Sequence, residues 1–589
     1  MAVQKRVNVV TVGAGWTAAI FAQILTEAGY SVVSIEQGPL RWSNPDFQHN
    51  HDPLRYHVRH AMMVNLAQET WSWRPNPKAP SLPMRQYGSF NPGQGVGGAG
   101  IHWSGMWWRF LESDFNYRTH HIERYGEDKI PQGCTVQDWP LDYRELEPYY
   151  DLVDYDIGAS GQVGNLKGEF IEGGNPFEAP RSRPYPLPPL ETTIPSKMFA
   201  NAAQELGYHP FPQPAGILSQ AYHDRFDNYR SGCLYCGFCT RYGCEVDAKT
   251  MPVNVYIPAA LKTGRYEIRP YSKVLRVNIG ADGLATGLVY VDANGQEQEQ
   301  PADIVVLSGY TLGNIRLLLL SKNADHPDGL GNDLGMVGKN YTYQHWHGVS
   351  TGRFDNRKFN LYMGNTSTQN VLFDYQADVF DHSTLDFIGG AMLFSTLGER
   401  DPLTSVGNLP VDDKTTKNWG QEWKGYLRNH WDGIADILMQ GESLPYVDQF
   451  LDLDPVYKAS DGQPLLRLTF DWHQNDYNMY KFIAQKGDGI MKKMNPSEMK
   501  TTDTLDPYNI HKYQSTHCTG GAIMGSDPSN SVTNKYGQVW DTPNVFVTGA
   551  ALYPQNPGVN PSGTLAALAY YAGATIRDYY FKHQNELLV

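Results

Sequence analysis

An α/β fold is expected from three features of this sequence. At the N-terminus a β-rich apolar run, Val7 to Val12, leads into Gly13-Ala14-Gly15-Trp16-Thr17-Ala18. A helix with an apolar face of Ala18, Ala19, Ala22, Ile24 and Leu25 follows, and then a second strand, Ser31 to Ile35, that closes on Glu36. Near the C-terminus Asn544 to Thr548 reads as a buried strand, with a helix from about Leu565. Between these, Pro464 to Trp472 partly alternates like a half-buried strand and is assigned to the sheet of a second unit.

Length and composition bound what such a fold can be. At roughly 150 residues per domain, 589 residues suggest two to four domains. Hydrophobic residues at 41% and charged residues at 19% fit a folded globular chain. A net charge of −14 argues against a nucleic-acid partner, which needs a basic surface. No apolar run approaches the roughly 18 residues of a membrane span. The N-terminus lacks the apolar stretch of a signal peptide, so these facts alone read as cytoplasmic and soluble. A folded subunit exported on a partner's signal would escape that reading.

The glycine turn has a specific physical logic. Gly13 permits the tight turn, and Gly15 lets the backbone approach a pyrophosphate at the positive end of the helix. Ala18 is small enough for helix to pack on strand, and Glu36 can accept from both ribose hydroxyls of an adenosine. The motif does not separate NAD from FAD, and a βαβ unit without a ligand is the bland alternative.

A second glycine cluster, Gly93 to Gly105, holds five glycines in its first eight residues. Such a loop gives backbone amides close access to a flat or anionic ligand. Trp103, Trp107 and Trp108 beside it argue against a solvated linker.

Residues 233–244 carry Cys233, Cys236, Cys239 and Cys244 in a C-x2-C-x2-C-x4-C run, with Gly232, Gly237 and Gly243 allowing tight wrapping. Four soft thiolates suit an iron–sulfur cluster or zinc. The compact spacing is closer to iron–sulfur ligation, since structural zinc more often uses two separated C-x2-C pairs. Buried thiols without a metal are the third reading. The remaining cysteines, Cys134 and Cys518, lie far apart, and six in this length do not make a disulfide scaffold.

Gly97-Gly98-Ala99-Gly100-Ile101-His102-Trp103 resembles the flavin-contacting segment of the glucose–methanol–choline (GMC) oxidoreductase family. The resemblance spans essentially the whole chain. It implies a GMC-type α/β fold: a Rossmann-like FAD-binding domain from residues 1–340 and 511–589, with the cysteine loop at about 228–250 inserted. Residues 341–510 would form a substrate domain with a mainly antiparallel sheet and helices. Phe177 to Pro195, rich in proline, reads as an extended connector.

The same resemblance assigns residues. Gly98, Ala99, Gly100, His102, Trp103 and Ser104 would lie along the flavin, and His102 is a candidate for a covalent link, with a hydrogen-bonding histidine as the alternative. Val274 would touch the adenine through its backbone, Ile304 to Ser321 would close the nucleotide fold, and Ala550, Asn560 and Pro561 would reach the flavin from the C-terminal return. His517 and Asn560 match the family's catalytic pair over the flavin N5. A neutral imidazole is suited to take a hydroxyl proton as hydride leaves carbon. Cys518 beside it reads as a packing residue.

A subgroup of the family, membrane-linked bacterial sugar dehydrogenases, carries a cysteine cluster at this place. Four cysteines at altered spacing leave [4Fe-4S] and [3Fe-4S] both open here. The implied activity is FAD-dependent oxidation of a secondary alcohol in a sugar or sugar acid, with D-gluconate at C2 favoured and C3 of sugars or glycosides as the alternative. Electrons would pass through the cluster to a c-type cytochrome or a quinone chain. The implied partners are that cytochrome and a small subunit with an export signal, and the implied location is the periplasm. An oxygen-using sugar oxidase with a zinc site is the competing class.

Overall fold

The N-terminal strand–turn–helix–strand folds as one continuous unit. In the computed structural model, residues 1–47, 62–85, 92–361, 363–364, 366–396, 409–411, 416–509 and 516–588 are described. Strand β1 (Val7–Val12) runs into helix α1 (Trp16–Glu27) and then β2 (Val32–Ile35). Alanines on α1 let it lie flat, and Ala18, Ala19 and Ala22 are fully buried. Helix α2 (Tyr143–Ile157) follows later, its N-terminus capped by Asp142, which accepts from the Glu145 amide at 2.8 Å.

Four further strands complete the body of the first sheet: β3 (Tyr266–Arg269), β4 (Lys273–Ile279), β5 (Ala285–Val291) and β6 (Glu297–Leu307). The order is β3-β2-β1-β6-β5-β4, parallel from β3 to β6 and antiparallel beyond. The parallel strands pair Val9 with Val32 and Ile304 with Val9, apolar residues with negligible exposure. This is the reading expected of strands covered on both faces. Helix α3 (Thr311–Leu320) leaves the end of β6.

A second sheet lies beyond it in the chain. It contains β7 (His345–Arg353), β8 (Asn370–Leu372), β9 (Ala391–Thr396), β10 (Ile434–Gly441) and β11 (Glu498–Thr501). Its order is β11-β7-β10-β9-β8, with Phe211–Pro212 added at the edge, and every pairing is antiparallel. Helix α4 (Gln474–Met494) packs on β7 and β10 and touches the helix Ile194–Glu205, which packs on β8 and β9. The chain then returns: β12 (Val545–Val547) joins β6 in parallel, and helix α5 (Ser562–Asp578) packs against α1 and α2.

Several sequence expectations shift in detail. Pro464–Thr469 is a strand but not in the second sheet; it pairs with Phe450–Lys458 and, in parallel, with Trp71–Arg74. Leu465, Leu466 and Leu468 are all buried there, so the apolar pattern identifies a strand without saying which sheet receives it. The second sheet recruits Phe211–Pro212 and the helix Ile194–Glu205, segments outside residues 341–510. The boundary at 510/511 falls outside the described residues. Helix α5 starts at Ser562, straight after Pro561, because proline's fixed φ suits a helix start. Among the described residues no helix is long and apolar enough to cross a membrane.

Candidate active site

The first glycine turn is shaped for a ligand. Gly13 has φ +86°, and a Cβ there would stand 2.9 Å from the Ser308 carbonyl oxygen. Gly15 occupies the N-cap of α1 with no side-chain cap, and no acid sits in the first turn. The leading amides of α1 are thus left for an anion. The second loop docks on this end: the Gly97 amide donates to the Ala14 carbonyl at 2.8 Å. A Cβ on Gly98 would come within 3.3 Å of the Gly15 Cα. Gly98–Ile101 forms one tight helical turn, and Gly100 lies against the indole of Trp16.

Glu36, at the end of β2, joins both loops. Its carboxylate accepts from the amides of Ala14 at 3.1 Å, Gly38 at 2.8 Å and Gly95 at 3.2 Å. Burial raises its pKa above the ordinary carboxylate value, and those amides act against the rise. The Glu36 carbonyl accepts from Ser272, which brings the start of β4, with Val274, to the same corner. Glycine backbone, an uncapped helix start and an acid at one strand end are the parts of a dinucleotide cradle. They fit FAD. Replacing Gly13 by valine is expected to yield protein without flavin, read as loss of the visible flavin band relative to protein absorbance.

Behind the second loop the tryptophans divide in role. Trp103 donates to the Thr250 carbonyl at 2.8 Å and meets Trp16 edge-on at 5.5 Å, so its ring is a wall. His102 is buried, and its carbonyl accepts from the Arg241 amide at 2.6 Å. The Ser104 carbonyl accepts from the Thr366 hydroxyl at 2.8 Å. Trp108 instead donates its indole N–H to Asn560 Oδ1 at 3.1 Å.

That bond fixes the Asn560 amide. An indole N–H is a donor only, so Oδ1 faces Trp108 and Nδ2 faces outward. Asn560 Nδ2 lies 3.0 Å from His517 Nε2. The amide is the donor, so Nε2 is an acceptor and the imidazole is neutral, with its proton on Nδ1. Desolvation agrees: it pushes the His517 pKa down to about 3. His517 and Asn560, 43 residues apart, are therefore brought together as the sequence implied.

The backbone at His517 is held in an uncommon state. Its φ is +66°, a region that costs an L-residue about 1–2 kcal/mol. Asn556 Nδ2 donates to the His517 carbonyl at 2.6 Å, and Cys518–Thr519 then pairs with Thr342–Tyr343. Asn556 is itself oriented: Gln344 Nε2 donates to its Oδ1 at 3.1 Å, and Gln440 Nε2 donates to Gln344 Oε1 at 2.7 Å. Ala550 joins the same frame by accepting from the Gly520 amide at 3.0 Å, and the Pro561 carbonyl accepts from Tyr553 at 3.0 Å. Trp108, Asn556, Gln344 and Gln440 were not singled out by sequence reasoning as parts of the site. Trp108 carried a signal in its place beside the glycine loop; the other three carried none.

The cysteine loop departs from its expected form. Tyr235, Gly237 and Arg241 all have positive φ, so the loop is tightly wound. Burial raises the Cys239 thiol well above its usual value; Lys249 opposes this, and Cys233, Cys244 and Cys236 add to it, so the four thiols share one neighbourhood. The sulfurs nonetheless do not close on one point. Among the described residues, the one His/Cys/Asp/Glu set gathered within 4.8 Å is His326, Asp333 and Asp541. Local bonds hold the thiols where they are: Tyr235 N donates to Cys233 Sγ at 3.3 Å and Lys249 N to Cys244 Sγ at 3.4 Å. Cys239 packs among Leu190, Ala215 and Ile217.

Comparison with known proteins agrees with this geometry. A model of the GMC oxidoreductase family matches residues 449–569. The chain is 39% identical to the gluconate 2-dehydrogenase flavoprotein of Pantoea cypripedii, across 99% of this chain and 95% of that one. It is 28% identical to the 2-methyl-1,2-propanediol dehydrogenase of Mycolicibacterium austroafricanum, across 96% and 94%. It is 26% identical to the fructose dehydrogenase large subunit of Gluconobacter japonicus, across 97% of each. The crystal structure of pyridoxine 4-oxidase from Mesorbium loti shares the fold, with a TM-score of 0.60 at 14% identity over 99% of this chain and 100% of that one. The protein belongs to the GMC oxidoreductase family. It is an FAD oxidoreductase acting on CH–OH groups.

Proposed function

We propose that this chain is the flavoprotein of a sugar-acid dehydrogenase that oxidises a secondary alcohol, with D-gluconate at C2 as the favoured substrate. The observation that carries the reading is the neutral His517 imidazole held 3.0 Å from an amide of fixed orientation. Likeness to the gluconate 2-dehydrogenase flavoprotein supports the substrate class. Bound FAD supplies the acceptor for the hydride that leaves the alcohol carbon.

The chain's own groups do the rest. An alcohol oxygen that displaces the Asn560–His517 bond would accept from Asn560 Nδ2 and give its hydroxyl proton to the lone pair so freed on His517 Nε2 as the carbonyl forms. The amide cannot compete for that proton, so the two side chains keep separate roles. Asn556 and Trp108 hold the two partners in register. The uncapped starts of α1 and α5 would lie against the diphosphate and the flavin ring, with Gly98, Ala99, Gly100, Trp103, Ser104, Ala550 and Pro561 along the cofactor. A covalent bond to His102 belongs to this proposal and would show as flavin that stays with denatured protein.

Cys233, Cys236, Cys239 and Cys244 would hold an iron–sulfur cluster, which supplies a one-electron relay to a cytochrome. The loop's contacts with His102 and Ser104 support an exit beside the flavin. A small subunit with an export signal, a periplasmic location and the two-domain division complete the proposal.

An anaerobic dye-reduction screen across gluconate, 2-ketogluconate, glucose and glycosides, with the oxidised carbon determined, tests the substrate. Reduction by glycosides alone, at C3, would replace the gluconate reading. The pH profile is a second check. Because His517 is a base down to about pH 3, kcat/KM should show no acid limb near 6.5, the ordinary histidine value. A limb there that disappears in a His517 variant would show a solvated imidazole.

A further inference from the structure

The start of β7 shows which way each side chain points. Gln344, just before it, donates to Asn556 beside the catalytic pair at 3.1 Å. His345 turns the other way: its Nε2 lies 2.9 Å from Asp476 of α4, and Trp472 stacks on its ring at 4.0 Å. Alternation along the strand therefore returns Trp346 to the side of the catalytic pair. Its ring centre lies 6.2 Å from that of His517 and 5.4 Å from that of Phe394 on β9. The interplanar angles are 60° and 56°, so neither ring lies flat on the indole. Phe394 is fully buried, whereas Trp346 is only half-buried. Gly348, two residues further along the same face, is exposed, and a Cβ there would meet nothing within 4 Å. Leu438, opposite Gly348 on β10, is half-buried. An open strip thus runs from His517 past Trp346 to Gly348.

A single half-exposed aromatic means little on an outer surface. This one stands beside the proton acceptor, and the space next to it is unfilled. A polyhydroxy chain carries C–H groups between its hydroxyls. Those C–H groups can leave water against an indole face while the hydroxyls stay wetted. We infer that Trp346 is a specificity-determining residue, the platform on which the substrate's carbon chain lies beyond the carbon that is oxidised. The inference rests on the sugar-acid reading above. With C2 of a sugar acid at His517 and Asn560, the chain from C3 onward must run away from the pair. The strip at Trp346 and Gly348 gives it a place, and an acid that ends at C3 would not extend along it. Contact with a part of the substrate that does not react is made alike in the bound and reacting states. It therefore acts on KM rather than on kcat.

The test uses the full-length, flavin-loaded protein in a dye-reduction assay with D-gluconate and with D-glycerate, whose chain ends at C3. Glycerate that turns over too slowly to follow is measured as a competitive inhibitor, its inhibition constant replacing KM. Trp346→Ala is expected to raise the KM for gluconate at least about tenfold more than that for glycerate, with kcat on gluconate within about threefold of wild type. Trp346→Phe, which keeps a ring, should restore most of the difference. Gly348→Leu projects into the open space and should also weaken gluconate more than glycerate. Equal changes for the two acids in Trp346→Ala would overturn the platform, and so would a loss confined to kcat. If Trp346→Ala fails to fold, Gly348→Leu decides: a larger change for gluconate supports the platform, and equal values for both acids overturn it. Wild-type protein that does not oxidise gluconate would overturn the sugar-acid reading itself.

Discussion

Replacing His517 by alanine is expected to lower kcat/KM by about 10²–10⁴-fold, the usual contribution of a positioned general base. The substituted protein keeps the cradle residues Gly13, Gly15 and Glu36, so its flavin content should stay near wild type. Stability will fall modestly. The Asn560 amide loses its partner, and an unsatisfied buried donor costs about 1–3 kcal/mol. A melting curve and a flavin spectrum therefore accompany the kinetics. His517→Ala protein that binds flavin and turns over at the wild-type rate would remove the proposed base.

The largest expected effect on stability comes from Asp154, on α2. Its Oδ2 accepts from Arg109 at 2.7 Å and Arg181 at 2.6 Å, and its Oδ1 from the Trp107 indole at 2.6 Å. Burial pushes its pKa up, but Arg109 and Arg181 outweigh that and hold it below the ordinary carboxylate value. Asp154→Ala leaves two buried guanidinium groups short of an acid and is expected to cost about 3–5 kcal/mol in denaturant unfolding. Trp107 lies 6.2 Å from Trp16 and 6.0 Å from Trp103, so the loss should also loosen the wall behind the second glycine loop. The depressed pKa sets the sign with pH. This contribution is present above about pH 4, the unfolded value, and is lost as pH falls through the folded one. A change under 1 kcal/mol at neutral pH would contradict the triad's role.

The two expected effects differ in how far the sequence foretells them. Gly13, Gly15 and Glu36 form a local unit whose spacing is set by one turn and one helix, so they are legible from the chain alone. His517 and Asn560 stand in glycine- and proline-rich frames that resemble a family pattern. Trp108, by contrast, meets Asn560 across 452 residues, and only the fold makes them neighbours. The Gln440–Gln344–Asn556 chain and the Asp154 triad are likewise products of packing. The strand at Pro464–Thr469 shows the same limit, since alternation specifies two faces and not a partner. For the cysteines, spacing puts four thiols in one short loop, whereas the positions of the sulfurs depend on amides and apolar neighbours outside the motif.

The most direct test of the central claim is anaerobic stopped-flow mixing of the purified flavoprotein with D-gluconate, unlabelled and deuterated at C2. The account predicts that the flavin band bleaches, more slowly with deuterium, and that His517→Ala protein with bound flavin bleaches at least about 10²-fold more slowly. Flavin that is bound but stays oxidised with gluconate and with every other sugar or sugar acid would contradict it.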